Sequence, residues 1–570
     1  MNSILLAVVG VAMILAGYAL YSKYLGSRIY RLEPNFVTPS HELRDDVDFV
    51  PTNKYVLWGH HFTSVAGAAP IVGPAVAVIW GWIPAFLWVT IGTIFFAGMH
   101  DMGALWASVR NLGKSMGALS SRYIGARGAN LFLVVIFLLL LMVNAAFAVV
   151  IANLLISTPS SVIPTWGAIF VALLVGQAIY RFKWNLGVVS VVGVVALYTL
   201  ILIGDRVPLA LPETVLGIPD NGVWIIILFV YAAIASILPV WLLLQPRDYI
   251  NGLQLFVGLG LLYGSVLLAG RDVVAPAFNT NVPEGTPSLV PLLFVTIACG
   301  AISGFHGMVA SGTSSKQIDK ETDVRFVGYF GAVGEGLLAL GAIIATTAGF
   351  RTLADWEGVY TAFNDGGVKA FVSGGASLMN DGLGLSPTLS ATVLATMAVL
   401  FAATTMDTGV RLQRFVVQEA GDIMGVKLGK GLATVIAVAI ALALTFGSGA
   451  DGSGGLLIWP LFGTTNQLMA GLTLGILAVM LLRKGRNVVP IVLPMVFVLV
   501  MTVYALFVQL GTFYSDRNWL LLVLDIIILI AALWVIVETF GAMNRARRGE
   551  DKDDEDSRES ISNASGGDGT

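Results

Sequence analysis

HHFTSVAGAAPIVGPAVAV, residues 60–78, is apolar enough to enter a bilayer, yet it opens on two histidines and carries Gly67, Pro70, Gly73 and Pro74 where a spanning helix should be continuous. Proline removes a backbone donor and glycine relaxes the helix, so AGAAPIVGP predicts a span that unwinds midway across the membrane. Backbone freed in this way survives in lipid only where it is buried in protein or lines a cavity. The plainer reading is a kinked packing helix, because Gly and Pro are common in membrane spans. A second interruption, at Pro239 in ASILPVWLLLQP five spans further on, favours a pair of broken helices over a single kink. Paired breaks at matching positions of two halves point to inverted repeats with a binding site near the midplane.

The whole chain has the composition such a reading needs. Of its 570 residues 56% are hydrophobic and only 12% charged, far from the balance of a soluble domain. Apolar runs predict about fifteen spans, at 4–22, 63–80, 83–108, 129–157, 162–180, 186–204, 222–244, 252–270, 289–311, 326–349, 388–408, 431–447, 456–482, 488–511 and 518–540. The first lacks a basic n-region and is read as a retained helix. With that set, all of the 32 basic residues except Arg206, Arg271, Arg351, Lys369 and Arg517 fall on one side, so the N-terminus is expected outside and the C-terminus in the cytosol.

The expected organisation is an N-terminal helix at 1–22, a cytosolic lead-in at 23–62, a core at 63–408, further helices at 409–543 and a charged, disordered tail at 544–570. The fold class is an all-α polytopic membrane protein with a LeuT-like core of five plus five helices in inverted repeat. The Gly- and Pro-rich stretch 350–387 is expected to hold an interfacial helix or an outer lid. The single cysteine, Cys299, leaves no disulfide to form within the chain.

Ionisable groups inside apolar runs are few and each asks for a partner or a water-filled cavity. They are His60 and His61 at the mouth of the broken span, His100 and Asp101, His306, Glu335 and Asp407. By residue count they lie in the cytosolic half, which suggests an inner vestibule or gate; Asp101 and Asp407 have Arg110 and Arg411 as plain pairing partners. Glu335 has no base nearby in its own span and is the favoured proton-coupling group, with His306 either a packing or a titrating histidine. Adjacent histidines chelate poorly and no HExxH spacing is present, so no metal and no cofactor are expected. Asn466, Gln467, Asn144 and Gln177 read as interhelical glue. No phosphate loop, nucleophile elbow or dinucleotide motif is visible, which argues against an ATP-driven pump or a membrane enzyme, and no repeated filter sequence argues for a channel.

Eight stretches, in order, resemble the carbon starvation protein A family: DFVPTNKYVLWGHHF, AGAAPIVGPAVA, HDMGALWASVRNLGKS, LPVWLLLQPRDY, TIACGAISGFHGMVASGT, GYFGAVGEG, AATTMDTGVRLQRF and IWPLFGTTNQLMAGL. The resemblance implies a multi-pass transporter of the cytoplasmic membrane that takes up nutrients under carbon starvation, with peptides as substrates and pyruvate for some relatives, and no nucleic-acid partner. It also implies a fold like that of the amino acid–polyamine–organocation superfamily. Carried over, the matched positions are His60, His61, Gly67, Pro70, Gly73, Pro74, Asp101, Pro239, Arg247, Asp248, His306, Glu335, Asp407, Asn466 and Gln467. Two departures, His100 where the family pattern has Gln and a shorter stretch between spans ten and eleven, bear on the substrate.

The expected substrate site is therefore Gly67, Ala68, Pro70, Gly73, Pro74, Pro239 and Trp241, where half-helix amides attract a carboxylate and unwound carbonyls accept from an amine. The expected coupling and gate residues are His60, His61, Asp101, Asp248, His306, Glu335 and Asp407. The coupling ion is expected to be H+, with Na+ the alternative if Ser303, Ser311 and Thr313 supply hydroxyl ligands.

Overall fold

The computed structural model describes residues 1–550 apart from Trp241 and Asn364. The expected site residue Trp241 and the tail from 551 onward thus lie outside the described residues. Among the described residues, twelve continuous helices are long and apolar enough to cross a membrane: α1 (Ser3–Ile29), α3 (Trp82–Arg110), α4 (Ala126–Ser157), α5 (Pro159–Arg181), α6 (Leu186–Arg206), α7 (Asp220–Ile237), α8 (Leu244–Ala269), α10 (Glu321–Ala348), α11 (Pro387–Asp422), α13 (Trp459–Arg483), α14 (Val489–Ser515) and α15 (Trp519–Arg548). A further pair, α2a (Lys54–Ala66) and α2b (Ala69–Trp80), passes the same test together and is bent by 45° at its break. Two segments are too short to pass that test: α9, split into α9a (Leu289–Thr296) and α9b (Gly304–Gly312), and α12 (Lys430–Phe446). Helix α15 carries on to Arg548, past the expected start of the tail at 544.

The break in α2 is built as its residues dictate. Asn53 caps α2a by accepting from the Tyr55 amide at 2.9 Å. The helix stops at Gly67, whose φ of 54° is strained for any residue with a Cβ. Helix α2b restarts with Pro70 in its first turn, where a missing N–H costs nothing.

The second break is not at Pro239. Helix α7 ends at Ile237 and α8 starts at Leu244, so Pro239 lies between two helices instead of opening one. The uniformly apolar ILPVWLLL hid that junction from a hydropathy reading. The unwound segment that meets the α2 break is 297–303 in α9, a stretch expected to be continuous helix because it contains no proline.

The two broken helices run antiparallel and touch along their length. His61 Nδ1 hydrogen-bonds with Ser314 Oγ at 2.8 Å, Pro70 lies beside Gly300, and Trp80 Nε1 donates to the Pro287 carbonyl at 3.0 Å. At Gly73 the approach is so close that a Cβ would sit 2.4 Å from the Thr296 carbonyl oxygen. Gly73→Ala is therefore expected to lower stability by about 1–3 kcal/mol through overpacking against backbone. A thermal unfolding scan in detergent checks this, and an unchanged midpoint would contradict the contact.

Helix α3 supplies partners for the unwound carbonyls: Trp88 Nε1 donates to Ile297 O at 3.3 Å and Thr93 Oγ1 to Gly300 O at 3.0 Å. Around the crossed pair, contacts recur in matched form. Helix α2a packs along α8 as α9b packs along α13, α8 meets α10 and α11 as α13 meets α3 and α4, and α7 lies on α11 as α12 lies on α4. Helices α4 and α11 pack on each other. In the stretch 350–387, Thr352 and Asp355 cap a short helix, Leu353–Val359, and a second helix, Gly367–Leu383, packs on α2b, α8, α10 and α11.

Candidate functional site

Two networks of buried ionisable groups flank the crossed breaks. The first surrounds the unwound stretch of α9. Asp101 on α3 accepts from His100 Nδ1 at 2.8 Å with one carboxylate oxygen and from His306 Nδ1 at 2.8 Å with the other. When Asp101 is ionised it only accepts, and both rings then carry their Nδ1 proton and turn Nε2 outward. His306 Nε2 points to Glu335 Oε2, 3.2 Å away, without the alignment of a hydrogen bond. All four groups are fully buried.

Cys299 completes this cluster from the break itself. Its sulfur, a His306 nitrogen and a Glu335 oxygen lie within 4.8 Å of one another, a set with metal-ligand chemistry that the spacing of these residues in sequence did not reveal. Asn466 on α13 holds the same place from the other side. Its Oδ1 accepts from the Phe305 amide at 2.9 Å, capping the half-helix α9b, and its Nδ2 reaches Cys299 Sγ at 3.2 Å. Asn466 is thus more than the interhelical glue expected. Asn466→Ala removes the cap and is expected to cost about 1–3 kcal/mol, read as a lowered unfolding temperature.

Helix α10 begins at Glu321, so Glu335 stands roughly 20 Å along it, beside the α9 break at Cys299. Asp101 does not pair with Arg110, whose guanidinium binds Glu321 and lies 3.2 Å from Glu33.

The second network ties α2a, α7, α8 and α11. Arg247 donates through Nη2 to Asp248 Oδ1 at 2.8 Å, through Nη1 to the Tyr231 hydroxyl at 2.6 Å, and also to Asp407. Asp248 Oδ2 accepts from His60 Nδ1 at 2.7 Å and from Ser64 Oγ at 3.3 Å. Asp407 therefore pairs with Arg247 and not with Arg411, which instead donates to the carbonyls of Ala235 and Leu238. His61 stands apart, bonded to Ser314. Pro239 lies in the α7–α8 link and joins neither network. The expected site left out Arg247 and Asn466, although the family resemblance matched both, and it left out Tyr231 and Cys299.

The α2 break is enclosed. Gly67 packs under the Phe147 ring and Thr405, and Phe147 stacks on Trp459 with centroids 6.2 Å apart. Beyond Trp459 opens a cavity of about 320 Å³ lined by Val72, Val76, Leu154, Asp365 and Lys369. A second cavity of about 350 Å³ lies at the far end of α9b. The hydroxyls of Ser311 and Thr313 bond to carbonyls of their own helix and Ser303 to Asn466, so they converge on no common point.

Residues 2–349 and 350–505 match the family model for carbon starvation protein CstA. The chain belongs to the CstA family. Among CstA relatives, the peptide transporter CstA of Campylobacter jejuni is 31% identical over 88% of this chain and 80% of its own. The peptide transporter CstA of Bacillus subtilis is 31% identical over 94% and 97%. The pyruvate/proton symporter BtsT of Escherichia coli is 29% identical over 89% and 82%. A crystal structure of a manganese transporter from Eremococcus coleocola superposes with a TM-score of 0.52 at 14% identity, covering 88% of this chain and 99% of that one. That likeness concerns the fold, and the expected class, an all-α polytopic membrane protein of LeuT-like type, stands.

Proposed function

We propose that the protein is a secondary active transporter of the cell membrane that takes up short peptides together with protons by alternating access. The observation that carries the reading is the position of Asp101, His306 and Glu335 at the unwound stretch of α9, where an imidazole can pass a proton between two buried carboxylates. Relatives named peptide transporter CstA support the substrate class. In this reading α2, α3, α4, α7 and α8 form one five-helix unit and α9 to α13 its inverted counterpart, with the α5–α6 hairpin inserted in the first. The core is then α2 to α13, not 63–408, and the positive-inside count puts the N-terminus outside. The enclosed break between two cavities is a closed intermediate, and transport opens each cavity to it in turn.

Substrate binds at Gly67, Ala68, Pro70, Gly73 and Pro74 together with the 297–303 segment, and the Arg247 network holds the inner side shut. Sodium is the weaker ion because the Ser303, Ser311 and Thr313 hydroxyls are already engaged. A second reading, pyruvate with protons, is favoured by the BtsT relative. Uptake of labelled dialanine and pyruvate into proteoliposomes under separately imposed proton and sodium gradients tests both. Accumulation of dialanine driven by the proton gradient is expected; no accumulation of either solute under either gradient would overturn the transporter reading.

A further inference from the structure

The cavity of about 350 Å³ at the end of α9b lies outside both networks and has its own chemistry. Its volume is near the lower end of the roughly 300–1,000 Å³ of small-molecule pockets. Its walls come from α9b, α4, α11 and the segment after α3, with Met308, Leu412 and Val416 as apolar surface, Lys316 and Lys114 as cations and Glu419 as an acid.

Lys316 is held in place. Its carbonyl accepts from the Val50 amide at 3.3 Å, and the next residue's carbonyl accepts from Thr52 at 3.1 Å, a short bridge that fixes its backbone. Its ammonium lies over two rings, 5.4 Å from the Phe49 centroid and 5.3 Å from that of Phe415. Aromatic faces attract a cation but leave its hydrogen-bond donors open to a ligand. Gly113 closes the floor, since a Cβ there would meet the Phe49 ring at 3.0 Å and Lys316 Cγ at 3.2 Å. Burial, with Arg411 and Arg414 nearby, holds the Lys316 ammonium below the ordinary lysine range, while Asp48 and Asp45 act the other way. An arriving carboxylate is the group that would relieve this.

We infer that this cavity is a release site on the cytosolic side for a short zwitterionic peptide, with Lys316 taking its carboxylate and Glu419 its ammonium group. The inference rests on the transporter reading and deepens it, because pyruvate offers a partner to Lys316 and none to Glu419. It also gives the carrier a low-affinity station after the α9 break, in line with the direction of uptake.

Right-side-out membrane vesicles distinguish the two faces. Half-saturation for dialanine is measured for uptake from outside and for efflux from preloaded vesicles, with wild type, K316Q, K316R and E419Q. Both neutral variants are expected to raise the efflux value at least tenfold while uptake stays within twofold; K316R is expected to stay near wild type. K316Q should become indifferent to amidation of the peptide carboxylate, and E419Q to acetylation of its amine. Unchanged efflux in both variants, or equal shifts on both faces, overturns the release site while leaving the transporter reading intact. A shift in K316Q alone, equal for pyruvate and dialanine, overturns the zwitterion assignment. Failure of the wild type to carry either solute sinks the transporter reading itself.

Discussion

Glu335→Gln is expected to abolish proton-driven accumulation while leaving solute exchange in place. The substitution keeps the shape of a fully buried side chain and removes its capacity to bind and release a proton. A gradient of one pH unit supplies about 1.4 kcal/mol per proton, enough for roughly tenfold accumulation. With the carboxylate gone, the ratio of inner to outer substrate in proteoliposomes should fall to about one under the same gradient. Counterflow, in which preloaded unlabelled solute draws labelled solute in, needs no net proton movement and should persist. Asp101→Asn is expected to act in the same direction and less completely, because it removes the carboxylate charge and one of the two acceptor oxygens that serve His100 and His306, and leaves the Glu335 carboxylate. A variant at Glu335 that still accumulates substrate tenfold would move coupling away from α9, and the His60–Asp248 pair would be the next place to look.

Much of this architecture was legible because lipid leaves so few choices. Hydropathy located the helices, and the Gly and Pro of AGAAPIVGP marked the break in α2 correctly, since those residue types act on the backbone directly. The partner break was misread because α9 unwinds without a proline. Ala298 to Ser303 is apolar enough to pass as helix, and what opens it is tertiary: α3 donates to its carbonyls and Asn466 caps the next turn. The ionisable residues were equally visible, because a charge in an apolar run stands out, but their partners were not. Asp407 and Arg411 are four apart on one helix and look like a pair, yet the carboxylate reaches across to Arg247 on α8. Sequence spacing reports neighbours along a helix, whereas burial of both ends of a charge pair is decided by which helices pack together.

Arg247→Gln is expected to be the most destabilising of the substitutions considered, by about 3–5 kcal/mol, the usual cost of breaking a buried ion pair from one side. The reason is the asymmetry of the network. Arg247 faces Asp248 and Asp407 together, so its loss takes the cationic partner from two buried carboxylates, leaving Asp248 with His60 and Ser64 only and Asp407 without its guanidinium. Asp407→Asn removes one negative charge and leaves Asp248 to hold the guanidinium, which should cost less. Combining the two should recover part of the loss, because only Asp248 then remains charged and His60 can still donate to it. Thermal unfolding of the wild type, both single variants and the double variant forms a cycle. A coupling of about 0.5–3 kcal/mol is expected for groups in direct contact. Additive effects would mean that Arg247 and Asp407 do not hold each other in the folded protein. Function separates from stability through the geometry: the network joins α2a, below the α2 break, to α7, α8 and α11. Asp407→Asn is therefore expected to loosen the inner side and raise the leak of preloaded solute, while the outer face keeps its affinity.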